Sequence, residues 1–229
     1  MCAALDAATE TLAAAPPRAL LIRAKGRMFC VGGAIDEFAG SGDLAAYLAA
    51  ILPVGHRVMQ RLADLPCPVI TALQGPAGGA GVALALCADI VLASPAMVLR
   101  AGYPALGLSS DFGVSWFLTR AAGAQRAADM LMNNRTVTAD EALSWGLIAA
   151  VHPADALDSA ARALHARLAA GPTRALARIK RLIAAAPDQS LAAQLAREAE
   201  LMLASGGEPD AAEGIAAFLA RRPPAFGRV

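Results

Sequence analysis

The chain has 229 residues, 57% hydrophobic and 17% charged, with a formal net charge of +1. That is enough apolar chain for one large core, and the near-neutral balance lacks the electrostatic footprint of a nucleic-acid or anionic-membrane partner. Mean hydropathy is +0.48, yet no run reaches the roughly 18 apolar residues, free of charges and Gly/Pro breaks, that a spanning helix needs; alanine on helices accounts for the value.

Met1 to Ala15 contains Asp6 and Glu10 and has no basic segment ahead of a leucine-rich stretch, so it does not read as a secretory signal and a cytoplasmic protein is expected. The four cysteines, Cys2, Cys30, Cys67 and Cys87, form no CxxC pair. They read as reduced, mostly buried thiols, with no metal site expected. His56, His152 and His165 stand apart without a ligand-spaced partner and read as surface or core residues.

Helical spacing from Asp6 to Ala14 ends at Pro16-Pro17, and the run Ala19 to Ile22 predicts a buried strand. Asp43 to Leu65 predicts a long helix stopped by Pro66 and Pro68. Val69 to Leu73 predicts a second buried strand, followed by a glycine-rich turn from Gly75 to Gly81, a helix over Val82 to Cys87 and a third strand over Asp89 to Ala93. Uninterrupted apolar strands alternating with helices predict a parallel sheet covered on both faces, an α/β fold. From Val114 the chain reads as helical, with breaks at Gly123, Asn133-Asn134, Gly146 and Gly171-Pro172. Ser190 to Ala220 reads as two alanine-rich helices separated by Gly206-Gly207, a region suited to packing on another subunit.

Strand, glycine turn and helix is also the setting of nucleotide-binding loops. A phosphate loop needs Lys and Ser or Thr after its last glycine, but Val82 and Ala83 follow Gly81. The dinucleotide fingerprint fails as well, since Gly79-Ala80-Gly81 has no third glycine at the required spacing. What survives is a turn whose backbone amides can approach a ligand and hold an oxyanion. A second such turn, Met28 to Gly33, raises the prospect of two converging N–H groups of the kind that polarise a thioester carbonyl.

At these residues the sequence resembles the enoyl-CoA hydratase/isomerase (crotonase) family. Phe29-Cys30-Val31-Gly32-Gly33-Ala34-Ile35 looks like that family's first oxyanion segment and Gly75 to Gly81 like its second. The resemblance makes the Gly33 and Ala80 N–H groups the oxyanion donors, with Val31 and Gly79 beside the substrate. It continues through Asp89 to Ser94, Gly107 to Gly113, Thr138 to Ala142 and Glu213-Gly214, and it implies a spiral of repeated ββα units. The expected division is an α/β core over 1–170 and a helical trimerisation region over 171–229, with a homotrimer or dimer of trimers as the assembly. Family members usually carry about another 25 residues ahead of the opening helix, a β-hairpin's worth, so the core is expected to lack that hairpin.

The implied ligand is an acyl-CoA thioester, with coenzyme A entering as part of the substrate and no separate cofactor. Hydratases of the family use two glutamates, at positions that look like Ala83 and Tyr103 here. Alanine can neither activate water nor protonate carbon, so hydration is disfavoured. Asp111 stands where several isomerases of the family carry their working carboxylate; it is equally placed to be the N-cap of the helix that follows. Tyr103 could bind substrate through its hydroxyl. Phe218 and Arg221 match C-terminal residues that contact CoA, often from a neighbouring subunit, while Arg222, Lys25 and Lys180 read as ordinary solvated charges. An isomerase using Asp111 is the leading expectation. A CoA-thioester-binding homologue without turnover, or a hydratase with an atypical acid and base, remains open beside it.

Overall fold

The structure, a computed structural model, describes residues 1–227. The first helix, α1 (Cys2–Ala14), leads through the two prolines into strand β1 (Leu20–Arg23). A short helix α2 (Ile35–Gly40) precedes α3 (Leu44–Asp64), whose start is capped by the Asp43 carboxylate accepting the Ala46 N–H at 3.0 Å. Strand β2 (Val69–Leu73) then gives way to β3 (Ala77–Gly78), helix α4 (Ala80–Leu86), β4 (Ile90–Ala93) and β5 (Val98–Arg100). After a 3-10 turn at Tyr103–Leu106 come α5 (Val114–Ala122), α6 (Ala124–Met132), β6 (Thr136–Thr138), α7 (Ala139–Ser144), β7 (Ala150–Val151) and α8 (Leu157–Ala169). Helices α9 (Thr173–Ala185), α10 (Leu191–Gly206) and α11 (Pro209–Leu219) complete the chain.

Two sheets result. One is parallel throughout, in the order β1-β2-β4-β7. All five residues of β2 are buried, as a central strand with both faces covered requires. The other runs β3-β5-β6, parallel between β3 and β5 and antiparallel between β5 and β6. Cys30 extends it by a parallel bridge to Ala77. The chain therefore spirals: β1 and the Cys30 bridge, β2 and β3, then β4 and β5 each contribute one segment to each sheet before a helical stretch. The second strand of each ββα unit, implied by the family resemblance, is thus present, whereas the hydrophobic pattern alone marked neither these short strands nor α2.

The main core lies around Leu73, Val82, Leu99, Leu118, Met130 and Val137. A smaller cluster of Ala72, Leu92, Leu157 and Ala161 sits under α8. All four cysteines are free: Cys67 and Cys87 are buried and Cys2 and Cys30 half-buried. Burial pushes the Cys67 thiol up to about 11 and that of Cys87 up to about 12, so both stay protonated. Among the described residues no helix is long and apolar enough to cross a membrane.

Lys180 departs from its reading as a solvated charge. On α9, with its side chain only 11% exposed, it places Nζ 3.1 Å from Asp89 Oδ2, and that same oxygen accepts the Val69 N–H at 2.8 Å. The pair ties a C-terminal helix to the start of the central strand. Lys180→Met leaves Asp89 without its counter-charge in a half-buried place and is expected to lower stability by about 1–3 kcal/mol. Urea denaturation reads this directly; an unchanged midpoint would show that the pair contributes nothing.

Candidate active site

The two glycine-rich turns lie against each other. The Phe29 N–H donates to the Pro76 carbonyl at 3.0 Å and the Gly78 N–H to the Cys30 carbonyl at 2.9 Å. Contact this close leaves no room for side chains between the segments. Gly32 has φ +91°, and a β-carbon there would stand 2.9 Å from the Gly78 oxygen and 3.4 Å from the Ala80 nitrogen. At Gly81 a β-carbon would stand 2.0 Å from the Cys30 oxygen. Glycine at these positions brings the turn bearing Gly33 up to the turn bearing Ala80.

Ala80 is the first residue of α4, so its N–H has no carbonyl to bond within the helix. Gly33 lies just ahead of α2 over the Phe38 ring, where a β-carbon would be 2.6 Å from Cζ. Among the turn and loop hydrogen bonds of the described residues neither N–H donates. Both residues line one cavity of about 460 Å³, together with Val31, Gly79, Tyr103 and Asp111. That volume suits a small-molecule site.

Asp111 faces this cavity and does not cap a helix. The N-cap of α5 is Gly113, with no side-chain cap bond. The carboxylate instead accepts the Tyr103 hydroxyl at 2.7 Å. Burial lifts the Asp111 carboxyl above the usual carboxylate range, outweighing the lowering by the Tyr103 hydrogen bond and the nearby His56. The Tyr103 phenol is raised in turn, chiefly by burial and then by its bond to Asp111. A hydrogen bond donated to the ionised carboxylate favours that form, so Tyr103→Phe is expected to raise the Asp111 pKa further. The acid limb of a kcat/KM profile that needs ionised Asp111 should move to higher pH; a limb that stays put or moves lower would sink this assignment.

Next to Asp111, Phe112 adopts φ +52°, a left-handed backbone rarely held by a bulky residue without support. Its ring supplies the support by packing on Gly55 of α3, where a β-carbon would stand 2.1 Å away, and by an edge contact to His56 with centroids 5.8 Å apart. Gly55→Val must displace Phe112, and Asp111 with it. The expected result is a roughly ten-fold or greater fall in kcat with a smaller change in KM, because a misplaced base loses alignment first. Steady-state kinetics separates the two constants, and an equal change in both would point to general damage.

The remaining sequence-derived residues fall in different places. Ala83 is fully buried in the main core and offers no acid or base. Phe218, on α11, is 83% exposed, and Arg221 follows the end of that helix with φ +52°; neither lines the cavity of this chain. The sequence reading missed part of the wall. Leu48, Ile51, Leu52 and Gly55 of α3 line the cavity with Leu5 of α1. Their i, i+3, i+4, i+7 spacing is visible in the sequence, but such a stripe reads first as a core face. Arg100 also lines it, with Nε 3.3 Å from Asn134 Oδ1, and that oxygen accepts the Gly102 N–H at 2.9 Å.

Residues 4–228 match the Enoyl-CoA hydratase/isomerase family. The 1,2-epoxyphenylacetyl-CoA isomerase of Escherichia coli K12 is 36% identical over 91% of this chain and 80% of its own length. The 2,3-dehydroadipyl-CoA hydratase of the same organism is 33% identical over 90% of this chain and 79% of its own. The crystal structure of an enoyl-CoA hydratase from Polaromonas sp. JS666 superposes with a TM-score of 0.91 at 33% identity, over 98% of this chain and 88% of that one. The spiral of two sheets is thus the crotonase fold, and the chain belongs to the enoyl-CoA hydratase/isomerase family.

Proposed function

We propose that the chain is an acyl-CoA isomerase that moves a double bond from the β,γ to the α,β position, with Asp111 as its one proton carrier. In this reading the thioester carbonyl oxygen sits between the Gly33 and Ala80 N–H groups. Asp111 takes a proton from the α-carbon, the electron pair delocalises into the thioester as a dienolate, and the two amides stabilise the negative oxygen. The protonated Asp111 then returns a proton to the γ-carbon, the dienolate collapses to the conjugated thioester and the carboxylate is restored.

One observation carries the reading: Asp111 is the single carboxylate among the described residues lining the cavity, and burial raises its pKa toward base duty. Hydration calls for a second proton-handling group: Ala83 cannot be one, and burial raises the Tyr103 phenol, making it a poor acid. A panel of 3-enoyl-CoA thioesters tests the proposal. Conversion to 2-enoyl products is the expected result, and no conversion of any member would overturn it.

The region over 171–229 is assigned to assembly in the same reading. Exposed Ile179, Ile183, Met202, Leu203, Ile215, Phe218 and Leu219 on α9, α10 and α11 support burial of these helices in a trimer. Phe218 and Arg221 would then meet the CoA moiety bound to a neighbouring subunit.

A further inference from the structure

Helix α3 forms a side wall of the cavity, and contacts at its two ends fix what it spans. At one end Tyr47 makes an edge contact with Phe38, centroids 5.6 Å apart, and Phe38 packs under Gly33. At the other end Gly55 packs on Phe112, the neighbour of Asp111. At about 1.5 Å of rise per residue the helix covers about 12 Å between these points. Between them Leu48, Ile51 and Leu52 turn to the cavity. The wall running from the level of an oxyanion donor to the level of the base is therefore hydrocarbon alone.

The charges around it are equally one-sided. Arg100 is the one basic side chain among the cavity-lining residues, and Asp111 is the one acidic one. Arg100 is not on the α3 wall but at the end of β5, where its own carbonyl accepts the Gly79 N–H of the second glycine turn at 3.1 Å. Its guanidinium is turned to Asn134. A carboxylate carried on the acyl group along Leu48, Ile51 and Leu52 would lose water, find no cationic side chain on that wall to replace it and approach ionised Asp111, each of which costs free energy.

We infer that Leu48, Ile51 and Leu52 make this an acyl site for neutral hydrocarbon groups, one that rejects acyl groups ending in a carboxylate. The inference rests on the acyl-CoA reading given under the proposed function. Its test uses saturated ligands, so that binding is separated from turnover. Calorimetric titration of the full-length protein with hexanoyl-CoA and with its ω-carboxylated counterpart of equal chain length is expected to give at least about 30-fold tighter binding of the neutral ligand. Leu52→Arg, which places a cation on the wall, is expected to narrow that ratio by at least about ten-fold, with circular dichroism checking the helix. Equal affinities, or a preference for the carboxylated ligand in the unmodified protein, would overturn the inference while leaving the acyl-CoA site standing. If neither thioester binds, the acyl-CoA reading falls, and the selectivity with it.

Discussion

Asp111→Asn is expected to lower kcat/KM for bond migration by about 10²–10⁴-fold while leaving the melting temperature at neutral pH unchanged or higher. The loss follows because an amide cannot take the α-proton, although it keeps the shape and can still accept the Tyr103 hydroxyl. The stability half follows from the direction of the pKa shift. Burial raises the Asp111 pKa in the folded chain, so folding favours the protonated form. That favourable contribution is present below the ordinary carboxylate pKa and is lost as pH rises through the raised value. At neutral pH the native protein holds a carboxylate that would be better solvated unfolded, and Asn removes the cost. Melting curves at neutral and acidic pH should therefore show the variant's advantage shrink as pH falls. A variant that is inactive because it is unfolded would fail both halves.

Ala80→Pro is expected to lower kcat by about 10²–10³-fold, the usual effect of deleting one oxyanion donor, without unfolding α4. A side-chain change at this position would leave a backbone N–H in place, whereas proline removes it. The substitution suits this site because Ala80 is the first helical residue, where proline's fixed φ fits and the helix loses no hydrogen bond. Gly79 ahead of it has no β-carbon to meet the proline ring. Thermal unfolding should be close to that of the parent chain. A folded Ala80→Pro protein with full activity would remove Ala80 from the oxyanion hole.

Those elements that carry enough residues to show a period were readable from sequence. Strand β2 matches its expected range of Val69–Leu73, and α3 runs within one residue of its expected limits at each end, because Asp43 caps it and the prolines stop it. The second sheet was implied by the resemblance to ββα units but has no periodic signal of its own: β3 is two residues long, and β5 and β6 are three each, too short for alternation to appear. These strands exist because neighbouring turns of the spiral offer them hydrogen-bond partners, information held in tertiary contacts.

The site divides along the same line. The amide-bearing turns were legible through glycines that have no substitute at a close backbone approach, as at Gly32. Asp111 was not decidable, since a carboxylate two residues ahead of Gly113 fits a cap as well as a base. What removes the cap reading is the fold around it: Gly113 is the N-cap of α5, and the Asp111 carboxylate accepts the Tyr103 hydroxyl instead. The α3 wall hid for another reason: a stripe that faces a cavity has the same spacing as one that faces a core.

In the proposed reaction one cavity combines enolate stabilisation at Gly33 and Ala80 with proton transfer at Asp111. The decisive experiment follows a 3-enoyl-CoA by NMR in D₂O with the parent protein, Asp111→Asn and Ala80→Pro. The expected result is conversion to the 2-enoyl isomer with loss of an α-proton, fast for the parent and severely slowed for both folded variants. Migration at the parent rate in either variant, or a 3-hydroxyacyl-CoA as the main product of the parent, would contradict it.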